Sequence, residues 1–225
     1  MKINLKNIAF TMAEMMMVMA IIGATAALTI PNLVDSYKEE QTIVKLKKAQ
    51  EDLNRAYKSA ILKYGEMETW GSLSQKQGNS RLIEFLKGSP CKGTACVSFI
   101  NNAFEDYELE DGTVVSFPSS ETSSFVGSFT TEVSLSAKTY TPGKNVFRFF
   151  LYSDAYPYSL TCTTGSNMTY PKGIFVPDGY CQDRNIDTNA FTGSGLSTSN
   201  WAVFNGNLDY LKCNDLNWET KTTCD

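Results

Sequence analysis

The chain contains no histidine. That absence excludes Ser-His-Asp and Cys-His catalysis, imidazole metal sites and the usual proton shuttle near neutral pH. It also lacks a surplus of charge: 20 basic residues against 24 acidic ones leave a formal net charge of -4. Nothing global therefore draws it to nucleic acid or to anionic lipid. It has no Gly-rich phosphate loop, no nucleophile signature, no paired acids in a recognisable setting and no internal repeat. We expect neither catalysis nor nucleic-acid binding.

What the 225 residues do hold is 42% hydrophobic content, enough for one core and little more. One globular head with appendages is the expected organisation. All six cysteines (Cys91, Cys96, Cys162, Cys181, Cys213 and Cys224) follow the N-terminal apolar segment, and an even count on that side suggests disulfides in an oxidising compartment. Six cysteines allow 15 connectivities. Pairing neighbours gives Cys91 with Cys96, Cys162 with Cys181 and Cys213 with Cys224. A zinc site is disfavoured, since only Cys91 and Cys96 are closely spaced and no second matching pair exists.

Residues 1–9, MKINLKNIA, carry Lys2 and Lys6 and no acid, and Phe10 to Ile30 then run almost wholly apolar. As a helix that run spans roughly 31 Å, close to the hydrocarbon thickness of a bilayer. The leading lysines orient the N-terminus to the cytoplasm, which places the rest outside, as the cysteines also suggest. Glu14 stands five positions into the run with no basic partner nearby along the helix. A charge at the centre of a span costs on the order of 3 kcal/mol, less near an edge, and usually marks a functional pairing. Cleavage between Ala9 and Phe10 would create an α-amino group about one turn from Glu14, and a neighbouring copy shifted along the axis could bring its own amine to this carboxylate.

Ala9-Phe10-Thr11-Met12-Ala13-Glu14 with the apolar run behind it resembles the prepilin N-terminus shared by type IV pilins and type II secretion pseudopilins. The resemblance implies a prepilin peptidase cutting before Phe10, N-methylation of Phe10, and a role for Glu14 in filament assembly. Its partners would be other pilin or pseudopilin subunits, the peptidase, inner-membrane assembly machinery and membrane lipid. The chain would begin as a single-pass inner-membrane protein with its head outside, then enter a pilus or periplasmic pseudopilus. Ala9 departs from the glycine usual there, and Met15 to Met19 replaces the commoner Leu/Ile/Val mix. Size and six cysteines point to a specialised minor subunit. The rival is a membrane-anchored binding module or adhesin that never polymerises.

Pro31 closes the apolar run and is a candidate helix kink. Beyond it Val34, Tyr37, Ile43, Val44, Leu46, Leu53, Ala56, Tyr57, Ala60, Ile61 and Tyr64 recur at helical spacing, and Gly65 is the expected stop. Four regions follow: 1–9 as leader, 10–31 as transmembrane and assembly helix, 32–64 as amphipathic stalk, and 65–225 as a β-rich head. The fold expected is α+β, pilin-like, with the long helix packed on an antiparallel sheet.

Within the head, 81–87 reads as a short helix. Tyr107 to Leu109 and Thr113 to Phe117 read as a hairpin about 110-EDG-112. Further strands are expected at 125–135, 146–152, 173–176 and 201–204, with solvated loops at 119–124 and 192–200. The segments Asp111 to Phe117 and Pro142 to Leu151 resemble the heads of a group of pilin-like proteins. No cofactor is expected, although Asp178, Asp183 and Asp187 are candidate calcium ligands in a loop without EF-hand spacing. Trp70, Trp201, Trp218 and the tyrosines are read mainly as core.

Two other readings of the N-terminus compete: a signal peptide cut after Ala24-Thr25-Ala26, and an uncleaved anchor. N-terminal sequencing of the mature protein separates them. A start at Phe10 is expected; a start near Ala27 or at Met1 would identify a signal peptide or an anchor.

Overall fold

A computed structural model describes residues 11–91, 104–122, 125, 127–135, 141–153, 172–178, 198–216, 218 and 220–224. Its longest element is the helix α1 (Met12–Tyr64), which ends where Gly65 takes a φ of 79° and donates its N–H to the Ile61 carbonyl at 2.9 Å. A left-handed residue at this place is what glycine supplies without a Cβ penalty. The chain divides into two units, Met1–Glu39 and Glu40–Asp225, and α1 contributes to both.

In the second unit α1 buries Ile43, Leu46, Ala49, Leu53, Ala56, Tyr57 and Ala60, a stripe at three- and four-residue spacing. The stripe shares one core with a six-stranded antiparallel sheet. Its strands are β1 (Gly88–Pro90), β2 (Phe104–Leu109), β3 (Val114–Pro118), β4 (Ser128–Ser134), β5 (Val146–Tyr152) and β6 (Val176–Pro177), and each pairs with the next in sequence. Alternation along the strands puts Val115, Phe117, Phe129, Val133, Phe147, Phe149 and Leu151 on the core side. The broad expectation of an α+β layout with helix and antiparallel sheet is met.

Polar bonds fix the helix to what lies beyond the sheet. The Gln50 carboxamide donates to the Phe175 carbonyl at 2.8 Å, while the Asn54 carboxamide accepts the Phe175 N–H at 2.7 Å. Two side chains one turn apart thus grip both backbone groups of one residue. Lys48 reaches Asp111, in the β2–β3 turn, at 2.6 Å.

The hairpin around 110-EDG-112 and the strand at 146–152 stand where expected. Other elements differ. The short helix is α2 (Gln75–Ile83) rather than 81–87, because Ser74 and Gln77 form a capping box that sets its start at Gln75. Residues 201–204 are helical, within α3 (Ser199–Asn205), which Gly206 ends at a φ of 70°. β4 is shorter than 125–135, since the Phe125 N–H bonds Leu73 instead of a strand. β6 is two residues, the Asn54 bond having taken the Phe175 N–H. Thr198 and Ser199, assigned to a solvated loop, are buried. β1, a Gly-Ser-Pro edge strand, had no sequence signal; proline is tolerated there because an edge needs no donor on its open side.

At Gly78 in α2 an added Cβ would stand 2.4 Å from the Phe125 ring. Alanine in a helix is ordinarily worth up to about 1 kcal/mol over glycine, but overpacking costs about 1–3 kcal/mol. Gly78→Ala is therefore expected to lower the urea midpoint of the oxidised protein. A raised midpoint would show that the ring moves aside freely.

Candidate membrane-inserting and assembly segment

From Met12 to Ile30 the first unit offers mainly apolar surface. No residue of Met12 to Ile30 is buried, and ten large apolar side chains there are at least half exposed. At about 1.5–3 kcal/mol for each one fully covered, the drive to cover this surface is on the order of 20 kcal/mol. Met12, Met15, Met16 and Met19 fall at i, i+3, i+4 and i+7 and so form one soft, adaptable stripe. Among the described residues, α1 is the one helix long and apolar enough to cross a membrane. Its hydroxyls need no solvent: Thr25 donates to the Ile21 and Ile22 carbonyls at 3.0 Å, and Thr29 donates to that of Thr25 at 3.0 Å.

Glu14 has partners. Its carboxylate accepts the Thr11 N–H at 2.8 Å and the Thr11 hydroxyl at 2.9 Å, and its own N–H donates to the Thr11 hydroxyl at 3.3 Å. This reciprocal set is a capping box. It also places a negative group at the positive end of a long helix. Sequence reasoning sought a cation for Glu14 and overlooked Thr11-x-x-Glu14, which was legible as a cap. The cap uses one carboxylate oxygen, Oε2, in both bonds. Ala9 and Phe10 lie outside the described residues. Pro31 stands inside α1, whose helical assignment continues through it.

In the second unit, Cys213 and Cys224 form a disulfide, as neighbour pairing expects. Asp209 reinforces that closure, accepting the Cys224 N–H at 3.0 Å and the Lys212 ammonium at 2.9 Å. Cys91 is also disulfide-bonded; the pairings that involve Cys96, Cys162 and Cys181 fall outside the described residues. Trp70 and Trp201 are buried, which removes them as stacking platforms, and Trp218 packs on Trp201 with ring centroids 4.8 Å apart.

Asp178 faces a cation: its carboxylate is 3.9 Å from the Arg148 guanidinium. That neighbour competes with any metal. Asp183 and Asp187 fall outside the described residues, and among those described no group of three acids or cysteines is placed to hold a metal ion.

Arg148 ends a polar row across the outer face of the sheet, where Asp106, Ser116, Glu132 and Arg148 are successive cross-strand partners. Glu132, 3% exposed, takes the Arg148 guanidinium at 2.6 Å. The Arg148 N–H bonds the Ser199 hydroxyl at 2.9 Å and so holds α3 against β5. At the other end, burial pushes the Asp106 carboxyl above its ordinary range; the Ser116 hydroxyl opposes this and the Glu132 charge adds to it. Asp106 Oδ1 is buried without a hydrogen-bond partner.

Comparison with protein-family models, curated proteins and solved structures gives no match.

The fold thus favours a protonated Asp106, and its penalty is absent below the ordinary carboxylate range and grows as pH rises toward the elevated pKa. Asp106→Asn is expected to raise Tm at pH 7 and to leave it nearly unchanged at pH 3. Equal stabilisation at both pH values would show that charge is not the cause.

Proposed function

We propose that this chain is a structural subunit, a minor pilin or pseudopilin, of a type IV pilus or type II secretion pseudopilus. A prepilin peptidase cuts it before Phe10, the new amine is methylated, and separate machinery moves it from the inner membrane into a filament. The observation that carries the reading is the uncovered apolar face of α1, whose single carboxylate, Glu14, follows Ala9-Phe10 at the spacing of the prepilin motif. Such a surface is satisfied first by lipid and then by the same surface of other copies. The chemistry asked of Glu14 is compatible with its cap, because among the described residues both cap bonds fall on Oε2 and leave Oε1 for the amine of a neighbour.

The rival, an anchored binding module, needs α1 only as a membrane span. Glu14→Gln separates the two, because glutamine at this position still completes a capping box but carries no charge. Glu14→Gln and Glu14→Ala are both expected to stay in the carbonate-resistant membrane fraction and to drop tenfold or more in sheared surface filaments. Wild-type filament levels for Glu14→Gln would reduce Glu14 to a cap and favour the anchored module.

A further inference from the structure

In the second unit the last turns of α1, the chain just after Gly65 and the residue that follows β5 enclose a hollow of about 210 Å³. Sites for drug-sized ligands begin at roughly 300 Å³, so the space suits a smaller molecule. Its walls are mainly apolar: Tyr57 and Met67 are buried, and Ile61 packs beside them against the core. Ser153 lines it too and is 3% exposed, and its hydroxyl has no hydrogen-bond partner. The backbone there is fixed, the Ser153 N–H donating to the Gly127 carbonyl at 2.9 Å. A buried hydroxyl left unpaired costs free energy that a single acceptor in the hollow recovers.

The rim carries charge of both signs. Lys58 stands on α1 and Glu66 and Glu68 on the chain after it, and all three are exposed. Among the described residues none of the three takes part in an ion pair. Opposite charges thus line one small hollow without neutralising each other. A ligand that fits must carry both signs itself, close together, on a small apolar body.

We infer that the hollow is a binding site for a free α-amino acid with a medium-sized apolar side chain. The ligand's ammonium meets Glu66 and Glu68. One oxygen of its carboxylate meets Lys58, and the other accepts the Ser153 hydroxyl. Its side chain lies against Ile61 and Met67. Three rim charges and the unpaired hydroxyl are satisfied together, which no simple cation, anion or hydrocarbon achieves. A peptide segment does not qualify, because it lacks an ammonium and a carboxylate on one carbon. The inference goes beyond the filament reading and does not rest on it.

The test titrates the oxidised full chain, held in detergent micelles, by calorimetry with three probes: L-leucine, leucinamide, which lacks the carboxylate, and 4-methylpentanoate, which lacks the ammonium. Leucine is expected to bind saturably at one site per chain, and each analogue about tenfold more weakly or worse. Ser153→Ala should weaken leucine about fivefold without lowering the Tm of the unliganded protein, since it removes a hydroxyl that has no partner. Lys58→Met, a change at an exposed position, should weaken leucine about tenfold. No saturable heat from leucine at millimolar concentration would overturn the site. Analogues that bind as tightly as leucine, or unchanged affinity in Ser153→Ala, would overturn it as well.

Discussion

A helix that turns mainly methionine, isoleucine, leucine, valine and alanine outward over five turns is unfinished in water. The second unit has its own core, and among the described residues that surface stays uncovered. Lipid and like helices are the two environments that can cover it without demanding polar partners. The threonines bond back to their own helix, and Glu14 is absorbed by Thr11 at the one place where bare N–H groups would otherwise require an acceptor. Apart from Oε1 of Glu14, these polar groups are accounted for locally, which frees the outer face for apolar contact.

The same helix changes task within its length. From Ile43 onward one stripe is buried, and the sheet, α2 and the Phe175 backbone are arranged against it. Gln50 and Asn54 show how position is set: burial along a stripe tolerates sliding, whereas two carboxamides holding one peptide unit do not. The opposite face of the sheet is held by charge. There the Glu132–Arg148 pair is sheltered enough to matter, and it brings α3 into place through Ser199. Asp106, in the same row without a cation, marks where that arrangement is least favourable.

Local signals in the sequence were readable and distant ones were not. Gly65 ends α1 and Glu110-Asp111-Gly112 turns a hairpin because each acts on its own neighbours, and both were legible. The run RLIEFLK drew attention by its apolar content, yet Ser74 and Gln77 decide where α2 begins. Trp201 to Phe204 looked like a strand, since four apolar residues fit either period, and only Gly206 argued for a helix end. Nothing local announces that Asn54 will hold Phe175 or that Asp178 will meet Arg148. Those are agreements between segments roughly 30 to 120 residues apart, and a periodicity cannot encode them. At the N-terminus the motif drew the eye to the charge of Glu14, and its plainer work as a cap went unread.

The sheet order, with every strand beside its sequence neighbour, bears on how the molecule is made. A chain synthesised from its N-terminus presents each new strand to an edge that has just formed, so no pairing has to wait for a distant segment. The Cys213–Cys224 bond, with a sequence separation of 11, likewise closes within the last stretch to emerge. The grip on Phe175 hydrogen-bonds later chain to the early helix. Assembly of the head can therefore proceed vectorially, each stage growing on the one before it, and that grip is where its first and later parts are locked together.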